Sequence, residues 1–219
     1  MYIIVKKNFT YPKIDCKICN YPLLSCGDFE YYKKCLNQQF WWYHETINTF
    51  GFLVKHMSHR EDYFFVDGSF LQNENQITVQ PELKELANAE IITVLHRNNH
   101  FSAVGVTIQK HTIKEIIVYD GKHKNPGVWW KQRLRCLLRK IGYTKSNLKK
   151  ARGYTSDDFF GIDFINQPCN DSSNCGPIAA MVILYKFLPE EIDYTLSVPA
   201  FRSFILEKLT CMLDKTSTV

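Results

Sequence analysis

The chain has 219 residues, 45% of them apolar and 22% charged, a balance that excludes a disordered segment and suits one sizeable core. No run of 18 apolar residues is present, so no helix spans a bilayer and a membrane is not an expected partner. The net charge of +5 comes from basic residues spread along the chain; the densest stretch, 131–139, falls at helical spacing as a solvated face, and nucleic acid is not an expected ligand.

Residues 2–5 read as a short strand whose charges follow a brief apolar stretch, the wrong order for an export signal. Cys16, Cys19, Cys26 and Cys35 then place half of the eight cysteines within twenty residues. One Cys-x-x-Cys pair among four thiols matches zinc ligation, but the second pair lacks that spacing, and free thiols in a Tyr-rich extension are the other reading. Without an export signal the thiols are expected to stay reduced, in a cytoplasmic or nuclear setting.

From residue 41 the pattern becomes regular. Ile47, Phe50, Leu53 and Val54 recur at helical spacing within 42–57. Residues 63–71 form a short buried segment interrupted at Gly68. Pro81 opens a short helix. Strands are expected over 90–95, 101–109 and 112–119. A helix over 127–142 turns Trp130, Leu134, Leu137 and Leu138 inward, and a further strand covers 159–165. Helices beginning at Cys175 and spanning 199–213 close the chain. Strands gathered between flanking helices make the fold class α+β, a mixed central sheet flanked by helices.

Chemistry concentrates late in the chain. Asn174-Cys175-Gly176-Pro177 ends a polar loop that starts at Gln167, and an apolar run follows. A cysteine in the first turn of a helix sits where orphan N–H groups and the helix dipole stabilise a thiolate. Upstream, His100 opens one strand and Asp120 closes the next. An antiparallel hairpin turning within 109–112 sets these two opposite one another on one face. A carboxylate there is expected to accept the imidazole Nδ1–H and leave Nε2 as the base.

On these residues the chain resembles the ubiquitin-like-protein proteases (SUMO/NEDD8/ubiquitin-specific) and the related adenain-type cysteine proteases. His100-Phe101, Asp120, Gln167 and Asn174-Cys175-Gly176 match the family's motif in order. Residues 42–47 and 64–71 resemble its opening segments, and Arg202 falls where the family has an arginine-rich helix. The resemblance implies a papain-like/adenain-like cysteine protease fold over 41–214, after an extension over 1–40 and before a tail over 215–219. It implies hydrolysis after the Gly-Gly tail of ubiquitin or a ubiquitin-like modifier, with the modifier and its conjugates as partners and no cofactor. Cys175 would be the nucleophile, His100 the base, Asp120 its orienting acid, and Gln167 the oxyanion donor beside the Cys175 N–H. Trp42 and Phe101 would form a slot too narrow for side chains, Glu45 would reach a basic substrate residue, and Asn174 and Gly176 would border the tail. Two departures stand out: Phe101 replaces a tryptophan, and Gln167 lies eight positions before Cys175, two more than is commonest in the family. Asn170 is an alternative oxyanion donor. A polyprotein maturation protease of the adenain kind, a same-fold acetyltransferase and a binding-only relative are the alternatives.

Overall fold

The computed structural model describes residues 42, 44–58, 60–66, 68, 87–122, 129–153, 167, 171, 173–189, 200, 202–204 and 207. The four clustered cysteines, the expected strands over 2–5 and 159–165, and the helix at Pro81 lie outside these residues.

In chain order the described elements are helix α1 (His44–Met57), strands β1 (Tyr63–Val66), β2 (Ala89–Arg97), β3 (His100–Gln109) and β4 (Thr112–Tyr119), then helices α2 (Trp129–Lys140), α3 (Lys145–Lys150) and α4 (Cys175–Phe187). The strands form one sheet in the order β1-β2-β3-β4, with β1 parallel to β2 and the other neighbours antiparallel. The chain is therefore α+β with a mixed sheet, as the clustering of strands predicts. The segment read as merely buried is β1, and α3 is a helix that the sequence pattern does not reveal.

Both faces of the sheet are covered, so its central strands read as continuous apolar runs rather than alternating ones. Ile92 and Val94 of β2 pack with α1 and α4, through Ile47, Phe50, Val54 and Met181. Their neighbours Ile91 and Leu95 pack with Trp130, Leu134, Leu137 and Leu138 of α2. Helix α2 thus shows the expected amphipathic stripe. Helix α4 is buried without interruption from Cys175 to Leu184, as a helix apolar on every side must be. No helix among the described residues is long and apolar enough to cross a membrane.

Two tight turns fix the strand registers. Arg97 pairs with His100 across Asn98 and Asn99, whose φ angles are 50° and 58°. Two left-handed residues in succession make a type I′ turn, which matches the strand twist and which asparagine tolerates well. The β3–β4 turn has the same shape, with Gln109 paired to Thr112 and φ angles of 49° and 56° at Lys110 and His111. Neither side chain favours that region, and the turn is held from outside. Lys110 N–H donates to Asn88 Oδ1 at 3.2 Å, and His111 N–H donates to the Ala87 carbonyl at 2.9 Å.

Candidate active site

The β3–β4 ladder runs from Gln109↔Thr112 to Ala103↔Tyr119, with an irregularity at Thr107/Ile108. One step further along this register, Asp120 faces Ser102. The expected pairing of Asp120 with His100 is thus corrected by two residues. The cause is the bulge together with the position of the turn. A shift of two conserves the side-chain face, and a diagonal neighbour stays within reach of a long side chain. His100 Nε2 accordingly lies 2.8 Å from Asp120 Oδ2.

The expected tautomer is corrected too. Nε2 rather than Nδ1 meets the carboxylate, so Nδ1 is the ring nitrogen turned away from Asp120, and Cys175 lies close enough to help raise the imidazole's pKa. The Cys175 Sγ also lies 4.0 Å from the Asn99 carbonyl oxygen. The Asn98-Asn99 turn therefore delivers both the histidine and a backbone acceptor to the sulfur.

Asp120 is 2% exposed and fully engaged. Its Oδ2 also accepts from the Ser102 hydroxyl at 2.8 Å, and its Oδ1 accepts from Lys122 N–H at 2.9 Å. Burial alone would raise the carboxyl's pKa. The His100 bond and charge, the Lys122 N–H and the Ser102 hydroxyl outweigh it and hold the pKa below the usual carboxylate range. Burial likewise pushes His100 down, but its bonds to Asp120 and Cys175, with their charges, push it up to about 9. The raised value favours the protonated imidazole beside the Asp120 carboxylate.

The surroundings of Cys175 are close-packed. Cys175 is 4% exposed and shares an apolar cluster with Trp42 and Phe101. A methyl group at Gly176 would lie 2.7 Å from the Trp42 Cβ, so only glycine lets Trp42 rest on the start of α4. Trp42 is 3% and Phe101 5% exposed, and Phe101 stacks on His96 at 4.5 Å between ring centroids. Each offers a substrate no more than an edge.

Gln167 is brought to the same neighbourhood. Its backbone N–H donates to the Gly121 carbonyl at 2.7 Å, beside Asp120. Its Nε2 donates to the Asp171 carbonyl at 3.0 Å, which occupies one of the two amide hydrogens. Glu45 lies in the first turn of α1, its side chain outside the described residues, as is Asn170.

Sequence reasoning missed three contributors. Ser102 stands two positions from His100 on the same strand face, a signal that period-two reasoning makes readable. Asp171 organises the loop before the nucleophile, accepting from the Ser173 and Asn174 N–H groups at 2.8 and 3.1 Å and from Asn174 Nδ2 at 2.6 Å. Arg202, within helical residues 202–204, donates Nε–H to Asn174 Oδ1 at 2.7 Å and Nη2–H to the Ser173 carbonyl at 2.6 Å. Its position was noted above, but its role depends on tertiary contacts that no local pattern encodes. Among the described residues, no group of three or more His, Cys, Asp or Glu side chains is arranged to hold a metal ion.

No protein-family model matches the sequence, and no curated protein sequence matches it. Among solved structures, the chain is similar to that of a de-sumoylating protease, with a TM-score of 0.51 and 10% sequence identity. The match covers 89% of this chain and 84% of that one. At this identity the likeness establishes a shared fold alone, and the function is argued from the site.

Proposed function

We propose that the protein is a cysteine peptidase that hydrolyses the peptide or isopeptide bond after the Gly-Gly tail of ubiquitin or a ubiquitin-like modifier such as SUMO or NEDD8. The observation that carries this reading is His100, held between the Asp120 carboxylate and Cys175 at the first turn of α4. Nucleophile, base and orienting acid in hydrogen-bond sequence define nucleophilic acyl transfer. The shared fold with a de-sumoylating protease supports a modifier tail as the substrate.

In this mechanism the Cys175 thiolate attacks the glycine carbonyl. The resulting oxyanion is held by the Cys175 N–H at the helix terminus and by a side-chain donor, Gln167 or Asn170. The His100 imidazolium gives its Nδ1 proton to the leaving amine as the C–N bond breaks, which leaves a thioester on Cys175. Neutral His100 then takes a proton from water, whose oxygen attacks the thioester and releases the tail as a carboxylate. Asp120 keeps Nε2–H engaged throughout, so the ring does not turn. Trp42 and Phe101 narrow the approach to Cys175, which favours glycine over any residue with a side chain. Glu45 would contact a basic residue of the modifier. Residues 41–214 would form the catalytic domain, in a papain-like arrangement of helix and sheet.

The test is covalent capture. Propargylated ubiquitin, SUMO and NEDD8 are incubated with the full chain, and the adduct is mapped by mass spectrometry. At least one probe is expected to modify Cys175. Absence of an adduct with every probe, together with no cleavage of fluorogenic Gly-Gly substrates, overturns the proposal.

A further inference from the structure

The first turn of α4 is uncapped in an unusual way. Asn174 is the N-cap residue, yet its side chain makes no capping hydrogen bond. An asparagine there ordinarily turns its oxygen to the N–H of the second or third helical residue. The third residue of α4 is Pro177, which has no N–H, so the one donor that Asn174 would take is that of Gly176. This N–H is the neighbour of the Cys175 N–H beside the sulfur.

The Asn174 amide is occupied elsewhere at both ends. Its nitrogen donates to Asp171 Oδ2 at 2.6 Å, and its oxygen accepts from Arg202 Nε at 2.7 Å. Arg202 is 7% exposed and also anchors the Ser173 carbonyl at 2.6 Å. We propose that Arg202 is a positioning residue: by engaging the Asn174 oxygen it keeps that oxygen off the helix terminus and leaves the Gly176 N–H, next to that of Cys175, for negative charge at the reacting sulfur and carbonyl. Burial lowers the guanidinium's pKa, while the charges of Asp171 and Cys175 oppose that shift, in keeping with a cation set close to the nucleophile. The inference rests on Cys175 being the reactive thiol.

The experiment reads the thiol directly, by the rate of iodoacetamide alkylation at Cys175 in the full chain, resolved by peptide mass spectrometry. Arg202→Met is expected to slow alkylation roughly fivefold, the ratio that corresponds to one capping bond. The same change in an Asn174→Ala background, where no oxygen remains to cap the helix, is expected to have little effect. A purely structural role predicts equal slowing in both backgrounds, and that result, or an unchanged rate in Arg202→Met, overturns the proposal. Should the methionine variant fail to fold, Arg202→Lys keeps a cation without the two-pronged donor and is read in the same two backgrounds. Alkylation needs no modifier. The expected pattern in a chain that forms no probe adduct would therefore sink the peptidase reading and leave the role of Arg202 intact.

Discussion

Helices α2 and α4 pack against opposite faces of one sheet, and they use their residues in different ways. Helix α2 buries an apolar stripe and keeps its basic residues half-buried or exposed beside it, so what it contributes is mainly apolar area. Helix α4 is buried on all sides, and its chemistry is confined to the terminus, where Cys175 and Gly176 meet Trp42, His100 and the Asp171–Asn174–Arg202 network. The contrast teaches that stability and reactivity are separable here. On the proposed function, substitutions in α2 act on the folded fraction, and those at the start of α4 act on rate as well.

On the proposed function, the largest break in that comparison is expected at Cys175. Cys175→Ala should lower turnover of the reactive Gly-Gly substrate on the order of 10⁴-fold or more, with the native fold retained by circular dichroism. Next in size, Leu134→Ala in α2 should lose about 2–5 kcal/mol in urea unfolding, while the alkylation rate of native Cys175 stays at its wild-type value.

Gly176→Ala tests where the two roles touch. It forces a methyl group against Trp42 and is expected to cost about 1–3 kcal/mol and to slow alkylation as well.

The pH dependence sharpens the same boundary. His100 is raised from 6.5 to about 9 on folding, so its contribution to stability is full below 6.5 and is lost as pH rises through about 9. Asp120 is lowered, so its contribution is present above its ordinary value of 3.8 and is lost as pH falls below it. Turnover should decline on the alkaline side as the imidazolium loses its proton. In Asp120→Asn that limb should move to lower pH, a shift that kcat measured across the range would detect.

The smallest effect is expected at the second turn. Replacing Lys110-His111 with Asn-Gly should stabilise the hairpin by about 1 kcal/mol without altering the rate, as thermal melting would report.

The sequence pattern located β3 to within one residue, and α2 to within two at each end, because the one is a mostly apolar run bounded by polar residues and the other carries an amphipathic stripe. It brought His100, Asp120 and Cys175 to one place by their positions at element ends. The register escaped it for a physical reason. Lys110-His111 has no turn signature, and its left-handed geometry is imposed by Asn88 and Ala87 from the entry to β2. The histidine's orientation escaped with it, because the ring nitrogen that meets Asp120 depends on the diagonal approach. Arg202 was visible as a position, but its hold on Asn174 joins residues 28 apart in sequence, and only the folded chain brings them together.

The turn at Asn98-Asn99 has a consequence for how this chain can vary. His100 is the first residue after a two-residue reversal, and alternate residues of a strand point to opposite faces. Adding or removing one residue in the turn would keep every catalytic side chain in the sequence and still point the imidazole away from Cys175. Geometry thus constrains the length of this turn as tightly as the identity of His100, and inserting one residue between Asn98 and Asn99 should slow Cys175 alkylation more than substituting either asparagine.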